Sequence, residues 1–324
     1  MKISLTRVVC ALSLVTTGLA SAADYPDKPI RLVVPYPPGG ASDTVARLIG
    51  QQLSQRLKQP VLVENKPGAT EQIGASFVAK ASPDGYTLLL ASTAGLSVNP
   101  TLYKGRLAYD PEKDFAPIVM AVTLPSVVMV HPSLPVDSID ELTAFARSSP
   151  TPVNYASSGA GNPSHLGMEL YKRVASVDMT HVPYKGGAPA LQDLMSGQVS
   201  VMMAIGPESM PMAKAGKLKA IAVTTAKSSP AYPGLPPVSQ TRGFANFELL
   251  HWFALLAPAH TPDPVIALLN KNVNDILQVP DVKRKLIDMG MELEGGSPKK
   301  LAETITRDRL KWEKVIAESN IRID

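Results

Sequence analysis

The sequence holds a single cysteine, Cys10, in a segment that reads as removable. The remaining chain has no thiol, which excludes disulfides, thiol catalysis and cysteine-ligated metal. A thiol-free chain also suits an oxidising compartment. One-sided charge is lacking too. The formal charge is +4, and without Lys2 and Arg7 it falls to about +2, 30 basic residues against 28 acidic ones. Lys and Arg are scattered, with no run that would follow phosphates, so nucleic acid is not an expected partner. No apolar stretch reaches the ~20 residues that a bilayer requires. Catalytic signatures are missing: there is no Gly-x-Ser-x-Gly elbow, no phosphate loop ending in Gly-Lys-Ser/Thr and no His-Glu-x-x-His. His131, His165, His181, His251 and His260 are far apart and read as isolated structural or surface residues. Gly159-Ala160-Gly161 resembles half of a dinucleotide loop but lacks the third glycine. No cofactor and no metal are expected.

What is present is a chain of 324 residues, 45% apolar and 19% charged, enough for two lobes that each bury a core. Residues 1–23 read as a signal peptide. Lys2 and Arg7 form a basic start, Val8 to Ala20 is largely apolar, and Ala20-Ser21-Ala22-Ala23 offers small residues for cleavage. Export to the periplasm follows, with a mature chain that begins at Ala23 or Asp24 and is not membrane-inserted. A buried N-terminal helix is the competing reading, disfavoured by the flanks and by the turn-rich segment that follows.

Short β-rich runs alternate with helical patterns. Ile30 to Val34, Val61 to Glu64, Tyr86 to Ala91, Ile118 to Val122, Val127 to Val130 and Val153 to Ser157 read as strands. So do Met179 to Val182, Val199 to Ala204 and Leu218 to Val223. Ser42 to Leu57 carries a helical stripe, and Ser138-Ile139-Asp140-Glu141 is a capping box. Asn162-Pro163, Thr261-Pro262 and Ser297-Pro298 each open a helix. Alternation of this kind predicts parallel sheets with crossovers, an α/β fold. No linker separates two beads, so the chain is expected to cross between lobes more than once, near Thr123 to Ser126 and near Gly243 to Phe247. The expected division is residues 24–123 plus 246–324 for lobe 1 and residues 124–245 for lobe 2.

Two places carry chemistry. Pro35 to Asp43 lies between a strand and a helix, and its candidate contacts are Tyr36, Pro38, Gly39, Gly40, Ala41, Ser42 and Asp43. A strand end, a glycine turn and a helix start present free N–H groups and the positive end of a helix dipole to an anion. The alternative is a tight turn in which Ser42 or Asp43 caps its own helix. Ala156 to His165 repeats the plan, with Ser157, Ser158, Gly159, Gly161, Asn162 and His165 as candidates. Facing each other, two such loops make a clamp. Hydrogen bonds to a charged group are worth about 1.5–3 kcal/mol each, and a micromolar ligand needs about 8 kcal/mol. One loop falls short of that; two with several donors each do not.

Further landmarks run in order along the chain: Tyr25-Pro26-Asp27-Lys28-Pro29-Ile30, Pro35 to Gly40 with Asp43, and Val63-Glu64-Asn65-Lys66-Pro67-Gly68-Ala69. Pro83-Asp84-Gly85-Tyr86-Thr87-Leu88, Asn99-Pro100, His181 to Gly186 and Gly216-Lys217-Leu218 complete the series. With these the chain resembles the solute-binding proteins of tripartite tricarboxylate transporters, the Bug-type receptors. The resemblance implies a two-lobed periplasmic-binding-protein fold of type II-like form, each lobe a mixed sheet flanked by helices, with the ligand between them. It also implies a receptor and not an enzyme, expected as a monomer. Its ligand would be a small organic acid (mono-, di- or tricarboxylates, some amino acids, aromatic acids), and its partners the membrane permease subunits of the transporter. By the same resemblance Ser92 and Thr93 lie near the cleft. The sequence departs from the family pattern at Thr70 and Glu71, where two glycines are usual, and at Ala204, where an Asp is common. A glutamate at the cleft edge would disfavour citrate-like ligands. Losing the acid at Ala204, beside Met202 and Met203, would favour one well-held carboxylate on a less polar body. The alternative is that Glu71 points to solvent and favours its helix. Two other functions stay open: a receptor that presents its ligand to a membrane sensor, and a periplasmic enzyme acting on a small acid.

Overall fold

The computed structural model describes residues 25–322; the expected signal peptide lies outside them. β1 (Ile30–Val34) is a run of apolar and β-branched residues, and a glycine turn separates it from α1 (Ala41–Leu57). Val45, Ala46, Ile49 and Leu53 bury one face of α1, the stripe expected of a helix laid on a sheet. β2 (Val61–Asn65), α2 (Gln72–Ala79) and β3 (Thr87–Ser92) follow. β1 pairs in parallel with both β2 and β3, so α1 and α2 lie in crossovers. A π-helical turn at Ala94–Val98 and α3 (Asn99–Leu102) lead into β4 (Phe115–Val130).

The second half opens with α4 (Ile139–Ser148), where Ser138 accepts the Glu141 N–H and Glu141 reaches back to the Asp137 N–H. β5 (Val153–Ser157), α5 (Pro163–Ala175), β6 (Met179–Pro183), α6 (Gly187–Ser196), β7 (Val201–Ile205), α7 (Gly206–Lys214) and β8 (Lys219–Val223) complete it. The chain closes with β9 (Leu250–Pro258), α8 (Asp263–Leu277), α9 (Pro280–Asp288), β10 (Glu292–Leu293) and α10 (Pro298–Glu318).

The strand order is β2-β1-β3-β9-β4-β7-β5-β6, with β8 and β10 also on β4. β4 is therefore the spine of both lobes. It is one strand of 16 residues where the sequence suggests two. From Phe115 to Pro125 it pairs with β9, and from Ser126 to Val130 with β7. Proline removes a ladder donor, but Pro125 stands where the partners are exchanged and Pro117 at a register shift, so neither ends the strand. The return crossing runs through Leu249, whose N–H donates to the Thr224 carbonyl, into β9. The Thr224 hydroxyl lies 3.1 Å from the Ser126 carbonyl and 2.7 Å from that of Leu249, tying the two crossings together.

Each lobe buries apolar residues on both faces of its sheet. In the first, Leu32, Ile49 and Leu269 share one core and Val33, Leu89 and Trp252 the other. In the second, Val128, Tyr155 and Met203 oppose Val127, Ala156 and Met202. α10 straddles the lobes: Leu301 and Ile305 join the first, Trp312, Val315 and Ile316 the second. This is the two-lobed α/β fold expected. Among the described residues no helix is long and apolar enough to cross a membrane.

Candidate functional site

A cleft of about 520 Å3 lies between the lobes. Lobe 1 contributes the turn from Tyr36 to Ser42 and the end of β3 from Ser92 to Ala94, and lobe 2 contributes Ser158, Asn162, Gly186, Gly187 and Glu208. Leu124 on β4 and His251 to Phe253 on β9 line it where the chain crosses. Of the residues singled out in the sequence, Tyr36, Pro38, Gly40, Ala41, Ser42, Ser92, Thr93, Ser158 and Asn162 meet here.

The first turn ends at Gly40, the N-cap of α1, which has no side-chain cap. The N–H groups of Ala41 and Ser42 consequently have no intrahelical acceptor. Gly39 and Asp43 do not line the cleft; they hold the turn from below. One Asp43 oxygen accepts the Gly39 N–H and the Arg47 guanidinium at 2.9 Å each, and the other accepts the Asn65 amide at 2.9 Å. The same Asn65 amide donates to the Tyr36 carbonyl. The Arg47 bond foremost, with help from Gly39 and Asn65, holds the Asp43 carboxyl down to about 2 against burial.

The second turn is built alike. Asn162 caps the Ser164 N–H, and the Ser158 N–H donates to the Ser164 hydroxyl at 3.0 Å. Ser157, Gly159, Gly161 and His165 are scaffold behind it. The Ser157 hydroxyl lies 2.6 Å from His181 Nε2 and 3.1 Å from the Gly159 carbonyl, and His165 Nδ1 accepts the Gly161 N–H. The His165 and His181 rings stack with centroids 3.7 Å apart.

The three departures from the family pattern lie away from the cleft surface. Thr70 is exposed, with its hydroxyl 3.2 Å from that of Tyr103. Glu71, expected at the cleft edge or in solvent, is 2% exposed beneath the cleft floor. Its carboxylate accepts the Tyr36 hydroxyl at 2.5 Å, the Ser92 hydroxyl, and the N–H groups of Ser92 and Gly95. Burial pushes the Glu71 carboxyl up, while those bonds pull it down. Ala204 is 1% exposed in the core with Ala156 and Leu191, and Met202 and Met203 point into opposite cores. The apolar cleft wall expected there is instead supplied by Ile205 and Pro207.

Sequence reading missed Gly186, Gly187, Glu208 and the β9 residues. Lys185-Gly186-Gly187 is a third strand-to-helix glycine turn, so its signal was present. Nothing local marks His251 or Trp252, which enter through a strand paired over more than a hundred residues of sequence.

Three histidines give the fold a pH dependence. Burial foremost, with His181 beside it, pushes His165 down to about 4; burial pushes His251 to about 4 and lowers His181 as well. An unfolded histidine titrates near 6.5. Below that pH the unfolded chain takes up protons that the fold refuses, so stability falls as pH drops from about 6.5 toward 4. Each group contributes a slope of up to about 1.4 kcal/mol per pH unit. Glu71, raised by burial, titrates in the opposite sense and offsets part of the loss. Denaturant melts at pH 7, 5.5 and 4.5 should show the decline, and His251→Leu should flatten it. A stability unchanged over that range would contradict the assignment.

Comparison with known proteins agrees with the geometry. Residues 45–321 match the model of the tripartite tricarboxylate transporter family receptor. Protein BugT of Bordetella pertussis is 32% identical over 330 residues, covering 99% of each chain. The structure of R. palustris Rpa4515 with adipate superposes with a TM-score of 0.79 at 36% identity, covering 92% of this chain and 99% of that one. MatC from Rhodopseudomonas palustris with bound malate gives 0.74 at 33%, covering 90% and 100%. A match over most of the chain places this protein in the tripartite tricarboxylate transporter receptor family, among its Bug-type members.

Proposed function

We propose that the chain is exported to the periplasm, closes its two lobes on a small organic acid, and delivers it to the membrane permease subunits of a tripartite transporter. The observation that carries this reading is the pairing of uncapped N–H groups at Ala41 and Ser42 with Ser158 and Asn162 across one cleft. No Lys or Arg lines the cleft, so a carboxylate is held by neutral donors and the α1 dipole. Adipate and malate in the two related structures support a carboxylate as the ligand. The partner exchange on β4 between Pro125 and Ser126, and the return at Leu249 to Leu250, support closure about those two crossings. Glu71 and Ala204 lie outside the cleft surface, so neither argues for an aromatic or long-chain body by direct contact.

Calorimetric titration with mono- and dicarboxylates and aromatic acids tests the reading. At least one acid should bind at micromolar concentration or tighter and reduce the radius of gyration in scattering. A complete panel that neither binds nor compacts the protein would refute it.

A further inference from the structure

The cleft is lined by one acid and by no Lys or Arg to balance it. Glu208, in the first turn of α7, lines the cleft. Among the described residues its carboxylate has no hydrogen bond and no ion pair. The carboxylate reaches across to the start of α6, close enough that a Cβ on Gly187 would lie 2.6 Å from Oε2. Glu208 is exposed in the open cleft, where water solvates its carboxylate; a ligand that displaces this water as the lobes close must offer a positive charge or donors in exchange. The opposite lobe agrees. Tyr36 and Ser92 both donate their hydroxyl protons to the buried Glu71. With those protons committed, and with Ser92 Oγ also accepting the Ala94 N–H at 3.0 Å, neither hydroxyl is left to donate to a ligand. The donors left to the ligand lie at the three glycine turns and on the His251 ring, and the Glu208 carboxylate faces them as an acceptor.

We propose that the ligand is a small zwitterion, with a carboxylate on the Gly40–Ser42 turn and a protonated amine on Glu208. This rests on the receptor reading above and narrows it: a second carboxylate near Glu208 is repelled, and an ammonium is drawn in. A purely structural role, complementing the dipoles of α6 and α7, would alter stability and leave ligand choice untouched.

The test is calorimetric titration of the full mature chain and of Glu208→Gln with matched probes at two lengths. At four carbons these are butanoate, succinate, aspartate and 4-aminobutanoate. At six carbons they are hexanoate, adipate, norleucine and 6-aminohexanoate. An amine-bearing probe should bind the wild type at least tenfold more tightly than the plain acid of its length. Glu208→Gln should remove that advantage and strengthen binding of the dicarboxylate. If plain or dicarboxylic acids bind the wild type best, or if Glu208→Gln leaves the ranking unchanged, this inference falls and the receptor reading stands. If neither these probes nor any acid of the wider panel binds, both fall.

Discussion

Gly40→Phe and Ser158→Phe should each weaken binding of a confirmed ligand at least a hundredfold while leaving the melting temperature within about 2 °C of wild type. Gly40 has φ −82°, ordinary for any residue, and a Cβ built there meets nothing within 4 Å. The fold can therefore take the side chain, and the phenyl ring fills the space over the Ala41 and Ser42 N–H groups. Ser158 makes one bond through its hydroxyl, to Ser164 at 3.0 Å, so its replacement costs the fold little. A hundredfold is about 2.7 kcal/mol, the worth of one or two hydrogen bonds to a charged group. Titration of both variants, with melting curves alongside, checks the claim. Unaltered affinity in both would mean that the carboxylate is held elsewhere.

Glu71→Ala should be among the most destabilising single changes in lobe 1, by about 3 kcal/mol, or roughly 5–10 °C in melting temperature. It would leave two hydroxyls and two backbone N–H groups without their acceptor, most of them away from water. Binding should weaken too, because Tyr36 and Ser92 lose the group that orients them. The backbone gives a contrasting control. Ala69, Thr70 and Glu71 all have positive φ, at 45°, 51° and 74°. Side chains there cost about 1 kcal/mol each relative to glycine. Thr70→Gly should therefore stabilise the protein by up to about 1 kcal/mol, while Glu71→Gly relieves the same strain and still loses the carboxylate. Urea titration of the three variants separates the terms; a Glu71→Ala as stable as wild type would show that the network holds nothing in place.

The two glycine turns could be found in the sequence because strand, glycine and cap are local signals. Ser138, Asn162 and Ser297 cap helices as their spacing predicts. β4 was legible only as two pieces, since Pro125 looks like a stop until its place at the partner exchange is known. β9 is buried on both faces over most of its length, so no period-two pattern marks it. The division of labour within each turn was hidden as well. Asp43, His165 and Ser157 have the chemistry of ligand contacts, yet an Asp43 oxygen, His165 Nδ1 and the Ser157 hydroxyl are engaged in holding Gly39, Gly161 and Gly159. Glu71 was misplaced for a related reason: a chain position that usually holds glycine suggests an open edge, whereas here the side chain turns inward onto Tyr36 and Ser92.

Native mass spectrometry of the chain purified from the periplasm tests the central claim most directly, since a receptor that closes on an acid should carry some of it through purification. The wild type should show the mature mass plus that of a small organic acid, released on denaturation, and Gly40→Phe prepared in parallel should show the mature mass alone. A bound species of equal occupancy in both proteins, or a wild type that stays empty after incubation with the full panel of acids, would contradict it.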